Sequence, residues 1–226
     1  MLTLLLASLA FAPLALAEET PATGPVDVGV LKNSDIRVVQ KVLYTKEDRL
    51  ELGVSLGVMP FDGYTVAPAV LGSGTLHLSE QVGVELQVGG GYGLKNGVYT
   101  QLESATYGVA VEAYRYLASV AVDLQYAPIY AKMNLGNGVI LHHDVYGIVG
   151  LGGTLEQSVF PSGEITVAPT LPIGIGTRIF VGPNTALKFE VRDNLMAEYR
   201  AQSQTWGFKQ NVAISAGLSF FGKAKN

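Results

Sequence analysis

The sequence has 226 residues, which is enough for one good-sized domain. Only 15% of the residues are charged, and mean hydropathy is +0.29, so the composition suits a membrane protein better than a cytosolic one. The net charge of −4 argues against a nucleic-acid-binding protein, which needs a basic surface. Because the chain contains no cysteine, disulfide scaffolds, thiolate metal sites and cysteine nucleophiles are excluded.

The first 17 residues have the pattern of a signal peptide. An apolar run from Leu2 ends in Ala15-Leu16-Ala17, a typical cleavage site, and two glutamates follow. We therefore expect an exported protein whose mature chain starts at Glu18. Residues 18–49 are predicted to form a periplasmic N-terminal extension, and Lys32–Arg49 holds five of the fifteen basic residues. This extension is either a solvated segment or a docking arm for a periplasmic partner.

The mature chain contains alternating apolar and polar residues but no apolar run long enough for a transmembrane helix. Between Leu50 and Val58, for example, every second residue is Leu or Val, which indicates a strand with one apolar face. A closed barrel of such strands satisfies all backbone hydrogen bonds in a bilayer. We predict an all-β protein: a transmembrane antiparallel up-and-down β-barrel of about eight strands over 50–221, with a C-terminal tail at 222–226. The predicted strands are 50–59, 65–78, 82–94, 118–132, 139–155, 165–181, 185–199 and 205–221.

The fifth strand and the loops leave some questions open. In the fifth strand, either Val145 and Val149 or Tyr146 and Ile148 could face outward. The connections alternate in length, as short periplasmic turns and longer outer loops do in transmembrane barrels. The longest predicted loop, 95–117, is the most plausible place for outward recognition and could hold a short helix.

Aromatic residues are predicted to form two girdles, one at each membrane interface. The alternative is that they are ordinary core aromatics. Those expected near the outer rim are Phe61, Tyr64, Tyr92, Tyr116, Phe160, Tyr199, Trp206 and Phe208, and those near the inner rim are Tyr130, Phe180, Phe220 and Phe221.

The opposite face of the strands carries charged and amide side chains, which should fill the barrel. An eight-stranded barrel is just wide enough for its own side chains, and buried charges must pair to offset their desolvation. The near balance of acids and bases therefore predicts a packed polar lumen and makes a general porin improbable. Asp193 does not fit this pattern, because it falls on the lipid face; a position near the outer interface or a bulge would relieve the cost. The predicted lumen network comprises Glu51, Glu85, Gln87, Asp123, Arg178, Lys188, Glu190 and Arg192, with Gln125 as a further polar residue.

No catalytic, cofactor or metal site is predicted, and we do not expect an enzyme. The three histidines, His77, His142 and His143, fall toward the periplasmic end, and adjacent strand residues point to opposite faces. The leading hypothesis is a structural or complex-forming envelope component that contacts outer-membrane lipid and partner proteins of the envelope, with no nucleic acid. The alternatives are a small-solute channel or ligand-binding barrel, a soluble lipocalin-like binder, and an outer-membrane lipid-modifying enzyme.

Several strings of residues occur in a characteristic order and spacing along the chain. They are Arg37–Lys41, Tyr44–Lys46, Arg49–Leu52, Ala127–Lys132 (APIYAK), Asp144–Gly152 (DVYGIVGLG), Glu190–Asn194 (EVRDN) and Phe220-Phe221. Together these strings resemble the outer-membrane β-barrel family expanded in myxobacteria. The resemblance extends over residues 35–221 and implies an outer-membrane barrel generally similar to small eight-stranded ones. Some members of that family belong to the gliding-motility machinery, so the resemblance also raises a motility role.

Overall fold

Alternating side chains and glycine-containing turns produce a single antiparallel sheet that closes on itself. In the computed structural model the described residues are 44–134, 140–200 and 204–223. No helix in this part of the chain is long and apolar enough to cross a membrane. The elements are β1 (Leu50–Phe61), β2 (Thr65–His77), β3 (Val82–Gly91), β4 (Leu94–Lys95), α1 (Gly97–Glu103), β5 (Ala113–Asn134), β6 (Ile140–Phe160), β7 (Ile165–Gly182), β8 (Thr185–Arg200) and β9 (Thr205–Phe221).

Eight of the nine strands form the ring, which confirms the predicted fold. Each strand except the two-residue β4 pairs with its sequence neighbours in the ring, and β1 pairs with β9 to close it. The strand β4 only extends the outer end of β2. Closure leaves no unpaired edge along the ring, as a membrane-spanning sheet requires.

The two faces of the sheet differ in polarity as the alternation predicts. On β1, Leu52, Val54 and Leu56 are half or more exposed on the outer surface, whereas Glu51 is buried inside. The fifth predicted strand, now part of β6, also has a defined orientation. Tyr146 and Ile148 are buried in the lumen, and Val145 and Val149 face outward.

The registers give the barrel a shear number of ten. Arg49 accepts a backbone hydrogen bond from His77. The ladder starting there crosses every strand of the ring and returns to β1 opposite Met59, ten residues further along. Eight strands with this shear tilt by about 40° from the barrel axis. The residues in this ladder are His77, Gly83, Gln125, Ile148, Gly174, Arg192 and Ala213.

The hairpin of β5 and β6 is longer than predicted. Its strands have 22 and 21 residues, against the 9–11 that cross a membrane, so it extends beyond the bilayer. The strand β5 begins at Ala113, inside the predicted loop 95–117, and β6 continues to Phe160. The rest of that loop includes α1, which Asn96 caps by accepting a 3.0 Å hydrogen bond from the Tyr99 amide.

Candidate functional site

The lumen is crossed by two tiers of ion pairs, of which the lower tier lies nearer the periplasmic end. At its centre is Arg178, whose Nε is 3.1 Å from a Glu51 oxygen and whose Nη1 is 3.3 Å from Asp144. The same guanidinium donates to Gln125 and lies 4.1 Å from the Tyr146 ring centroid. Because Arg178 is 1% exposed, two carboxylates, an amide and a ring replace its solvent shell.

The upper tier is centred on Arg192. Its Nη1 is 2.5 Å from Asp123, its Nη2 is 2.5 Å from Glu85, and its Nε is 2.9 Å from Glu190. Lys188 adds contacts of 2.5 Å to Glu85 and 3.0 Å to Glu190. Five buried charged side chains thus form one network across the barrel, which is the arrangement that makes buried charges tolerable.

The segment before β1 closes the periplasmic end of the lumen. Lys46 is 3% exposed, and its ammonium group donates to Asp144 of the lower tier. Arg49 donates to the Gly222 carbonyl at 2.8 Å and to the Asn184 side chain at 2.7 Å. Residues 44–49, the closing segment, therefore connect β1, β6 and the β7–β8 turn. These residues belong to the predicted N-terminal extension, and here they are packed against the barrel rather than solvated.

Aromatic side chains lie under the lower tier, inside the barrel. Phe180 and Phe221, predicted in the inner girdle, are 6% exposed, and Phe180 stacks on Tyr44 with 5.3 Å between ring centroids. Phe180 points into the lumen because it lies two residues from Arg178 on β7, and residues two apart on a strand face the same side. Tyr130 is half-buried, and its hydroxyl is 2.9 Å from His142 Nδ1.

A bulge explains the inward turn of Tyr130. The β5–β6 register shifts between Tyr126 and Ile129, and Tyr126 on the near side faces outward. Two predicted outer-girdle residues, Phe61 and Tyr116, are also buried inside, at 0% and 2% exposure. Of the other predicted girdle residues, Tyr64 and Phe160 are partly buried, and Tyr92, Tyr199, Trp206, Phe208 and Phe220 are exposed.

A small cavity lies above the upper tier. Its volume is about 40 Å³, which is room for a few water molecules. Gln87, predicted in the lumen network, is half-buried and lines this cavity outside the two tiers. The other lining groups include Met59, Tyr116, Arg192 and Met196.

The outer end of the lumen holds a cation among three acids. Lys209 lies 3.0 Å from Glu156 and 4.0 Å from Asp62, and it also contacts Glu198. Asp62 is in the β1–β2 turn, outside the membrane-spanning strands. Burial raises its pKa to about 6, and the Glu198 charge acts in the same direction, whereas Lys209 lowers it.

Two of the three histidines contact other side chains of the lumen. His77 Nε2 is 2.8 Å from Glu51, and His142 contacts Tyr130, as described above. His143 lies on the opposite face of β6 from His142, as its parity predicts. Within the described residues, no group of three His, Cys, Asp or Glu side chains could hold a metal ion.

Seven predicted network residues come together in the two tiers, and four further members lie outside the prediction: Lys46, His77, Asp144 and Tyr146. The sequence assigns Lys46 to the extension, and Asp144 and Tyr146 lie on the strand whose faces the alternation leaves open. The sequence spacing could have identified two of these residues, because His142, Asp144 and Tyr146 are two residues apart and therefore share one face of the strand. Tyr146 donates to Glu190 at 2.7 Å and so joins the lower tier to the upper one.

Comparison with known proteins defines the family. The family model described as "Outer membrane protein beta-barrel domain" matches residues 2–220. The chain belongs to this family. Membership indicates that the barrel lies in an outer membrane. A comparison with curated proteins found no significant match.

Solved structures of small outer-membrane barrels are similar to this chain at low identity. The N-terminal β-barrel domain of Pseudomonas aeruginosa OprF is 14% identical, covers 78% of this chain and 98% of its own, and has a TM-score of 0.45. Neisserial surface protein A is 10% identical, with 76% and 95% covered and a TM-score of 0.42. Pseudomonas aeruginosa OprG is 12% identical, with 80% and 98% covered and a TM-score of 0.42.

Proposed function

We propose that this outer-membrane barrel is a non-enzymatic structural component that holds partner proteins of the cell envelope. The closed lumen is the observation that supports this function best. Ion pairs centred on Arg178 and Arg192 cross it, and the closing segment lies beneath them. Such a barrel offers its rims and its N-terminal extension, rather than its interior, for interaction.

The partner is proposed to bind on the periplasmic side. After cleavage of the signal peptide, residues 18–43 would extend into the periplasm as a docking arm. These residues lie outside the described ones. The segment that follows them is held to the barrel, because Lys46 binds Asp144 in the lumen and Arg49 binds the Gly222 carbonyl just after β9. Given the sequence resemblance, we propose a gliding-motility machinery as the complex to test first.

Co-purification from outer membranes tests the docking arm. We compare the full chain with a variant lacking residues 18–41, exported with the same signal peptide. That variant keeps the closing segment, so its barrel should still migrate faster on gels when it is not boiled. We expect envelope proteins to co-purify with the full chain alone, and loss of the gene to impair gliding. Recovery of the same proteins with both chains, or of none with either, would contradict the proposal.

A small-solute channel is the second candidate, and the cavity beside Arg192 is the observation that favours it. Because the cavity holds only a few waters and the tiers below it are closed, passage would require the ion pairs to rearrange. Recording the purified barrel in a planar lipid bilayer distinguishes the candidates. We expect no stable conductance steps; a steady open level would establish the channel.

A further inference from the structure

Asp193 is a carboxyl group on the lipid-facing surface of the barrel. Along β8 the even-numbered side chains from Ala186 to Glu198 point into the lumen, where all are buried except the half-buried Asn194, and the odd-numbered ones, including Asp193, face outward. The pairing of β8 with both neighbours continues without a shift around this residue. No bulge turns Asp193 inward, so a bulge does not reduce the cost of placing this carboxyl group on the lipid face.

Its depth is close to the middle of the membrane. Asp193 lies six residues below Tyr199 and eight above Thr185, whose cross-strand partners are the exposed aromatics Trp206 and Phe220. At about 3.3 Å per residue and a tilt of about 40°, these separations are roughly 15 and 20 Å along the membrane normal. Asp193 is therefore too far from the outer interface for water there to reduce the cost of placing its carboxyl group in the membrane.

The residues directly opposite Asp193, Ile173 and Val212, are apolar, and the Asp193 Oδ1 is enclosed without a hydrogen bond. The nearest polar side chain on the lipid-facing side of β9 is Gln210, opposite Leu195. An ionisable group at this depth is costly, and in membrane proteins it normally faces another protein group.

We propose that two copies of this chain associate in the membrane through the outer face of β7–β9, with their Asp193 carboxyl groups hydrogen-bonded to each other. Both copies are inserted in the same orientation, so a two-fold axis along the membrane normal brings equivalent residues together at the same depth. A protonated carboxyl group is both donor and acceptor, which makes it complementary to its own copy.

The rest of the outer surface favours this pairing. On the outer face of β7–β9, the lipid-facing positions between the aromatic rims carry no Lys, Arg or His. A second copy that pairs through this face can therefore offer Asp193 no cation, and the two-fold axis places the equivalent carboxyl group opposite it. The surface is also concave on both sides of Asp193. One groove passes Leu171 and Leu195 above it, and another passes Ile175 and Val191 below it.

Cysteine cross-linking tests the proposed face, because the natural chain has no cysteine. Val191→Cys, which leaves Asp193 in place two residues away on the same lipid-facing side of β8, is compared with Val88→Cys, a lipid-facing control at similar depth on β3, which lies four strands away from β8 in both directions. With a short bis-maleimide reagent in native membranes, we expect a covalent dimer from Val191→Cys alone. Equal cross-linking at both positions, or a product containing a different protein at residue 191, would overturn the second-copy proposal.

Association of the purified barrel tests the hydrogen bond itself. Labelled protein in phosphatidylcholine vesicles is measured by energy transfer, and folding is checked by migration without boiling. Asp193→Asn keeps a donor and an acceptor and should dimerise like the natural chain. Asp193→Leu should associate about tenfold more weakly, whereas the control Val88→Ala should not change. Absence of dimer in the natural chain, or unchanged dimerisation of Asp193→Leu, would refute the proposal.

Discussion

Replacing Arg192 with methionine tests whether the ion pairs hold the barrel together. The guanidinium contacts Asp123, Glu85 and Glu190, and among the described residues no other cation contacts Asp123. Glu85 and Glu190 keep Lys188, so the main consequence of Arg192→Met is an uncompensated buried Asp123. Removing one partner of a buried pair costs about 3–5 kcal/mol, or about 10²–10⁴ in the unfolding equilibrium.

Urea unfolding in phospholipid vesicles measures this cost. Fluorescence of Trp206, the single tryptophan, follows the transition. The control is Arg200→Met, because Arg200 is 45% exposed at the outer rim and lies 3.7 Å from Glu198. It should cost less than about 1 kcal/mol. Adding Asp123→Leu to Arg192→Met should recover part of the loss. Equal effects of the two Arg→Met variants, or no recovery, would refute the reasoning.

Three further predictions concern other parts of the barrel. Leu86→Arg places a cation on the lipid face and should cost about 2–4 kcal/mol, whereas Gln81→Arg in the periplasmic turn should cost little; equal folded fractions on unboiled gels would contradict this. Lys46→Met leaves Asp144 with Arg178 alone and should lower the free energy of unfolding in urea by about 1–3 kcal/mol; an unchanged free energy of unfolding would mean that the closing segment contributes nothing. The pKa of Asp62, raised to about 6 in the barrel and near 4 when unfolded, means that folding favours the protonated form. The free energy of unfolding should therefore fall by about 2 kcal/mol as pH rises from 4 to 6, and Asp62→Asn should remove that component; identical pH profiles of the two chains would disprove it.

The alternating faces were readable from the sequence because lipid and lumen demand opposite polarity at consecutive residues. Glu51, Arg178 and Arg192 follow that period, so their inward direction was predictable. Which inward residues pair was not, since pairing depends on the shear that sets strand against strand.

Aromatics near the rims were harder to place. A phenylalanine such as Phe180 suits either the membrane interface or an apolar layer inside, and composition alone cannot separate the two. Tyr130 also depends on a bulge that no local motif marks. The closing segment escaped prediction for a related reason: Lys46 looks like a solvated lysine until its distant partner, Asp144, is known.

The contact of Arg49 with the C-terminal end of the chain has a consequence for biogenesis. The guanidinium binds the carbonyl of Gly222, 173 residues away, immediately beside the junction of β1 and β9. This contact can form only once β9 has been translocated and paired with β1, since contacts so distant in sequence form late and slowly. A product truncated before β9 would retain two unpaired strand edges and an Arg49 without its Gly222 partner. It would therefore be open to aggregation and to periplasmic proteases.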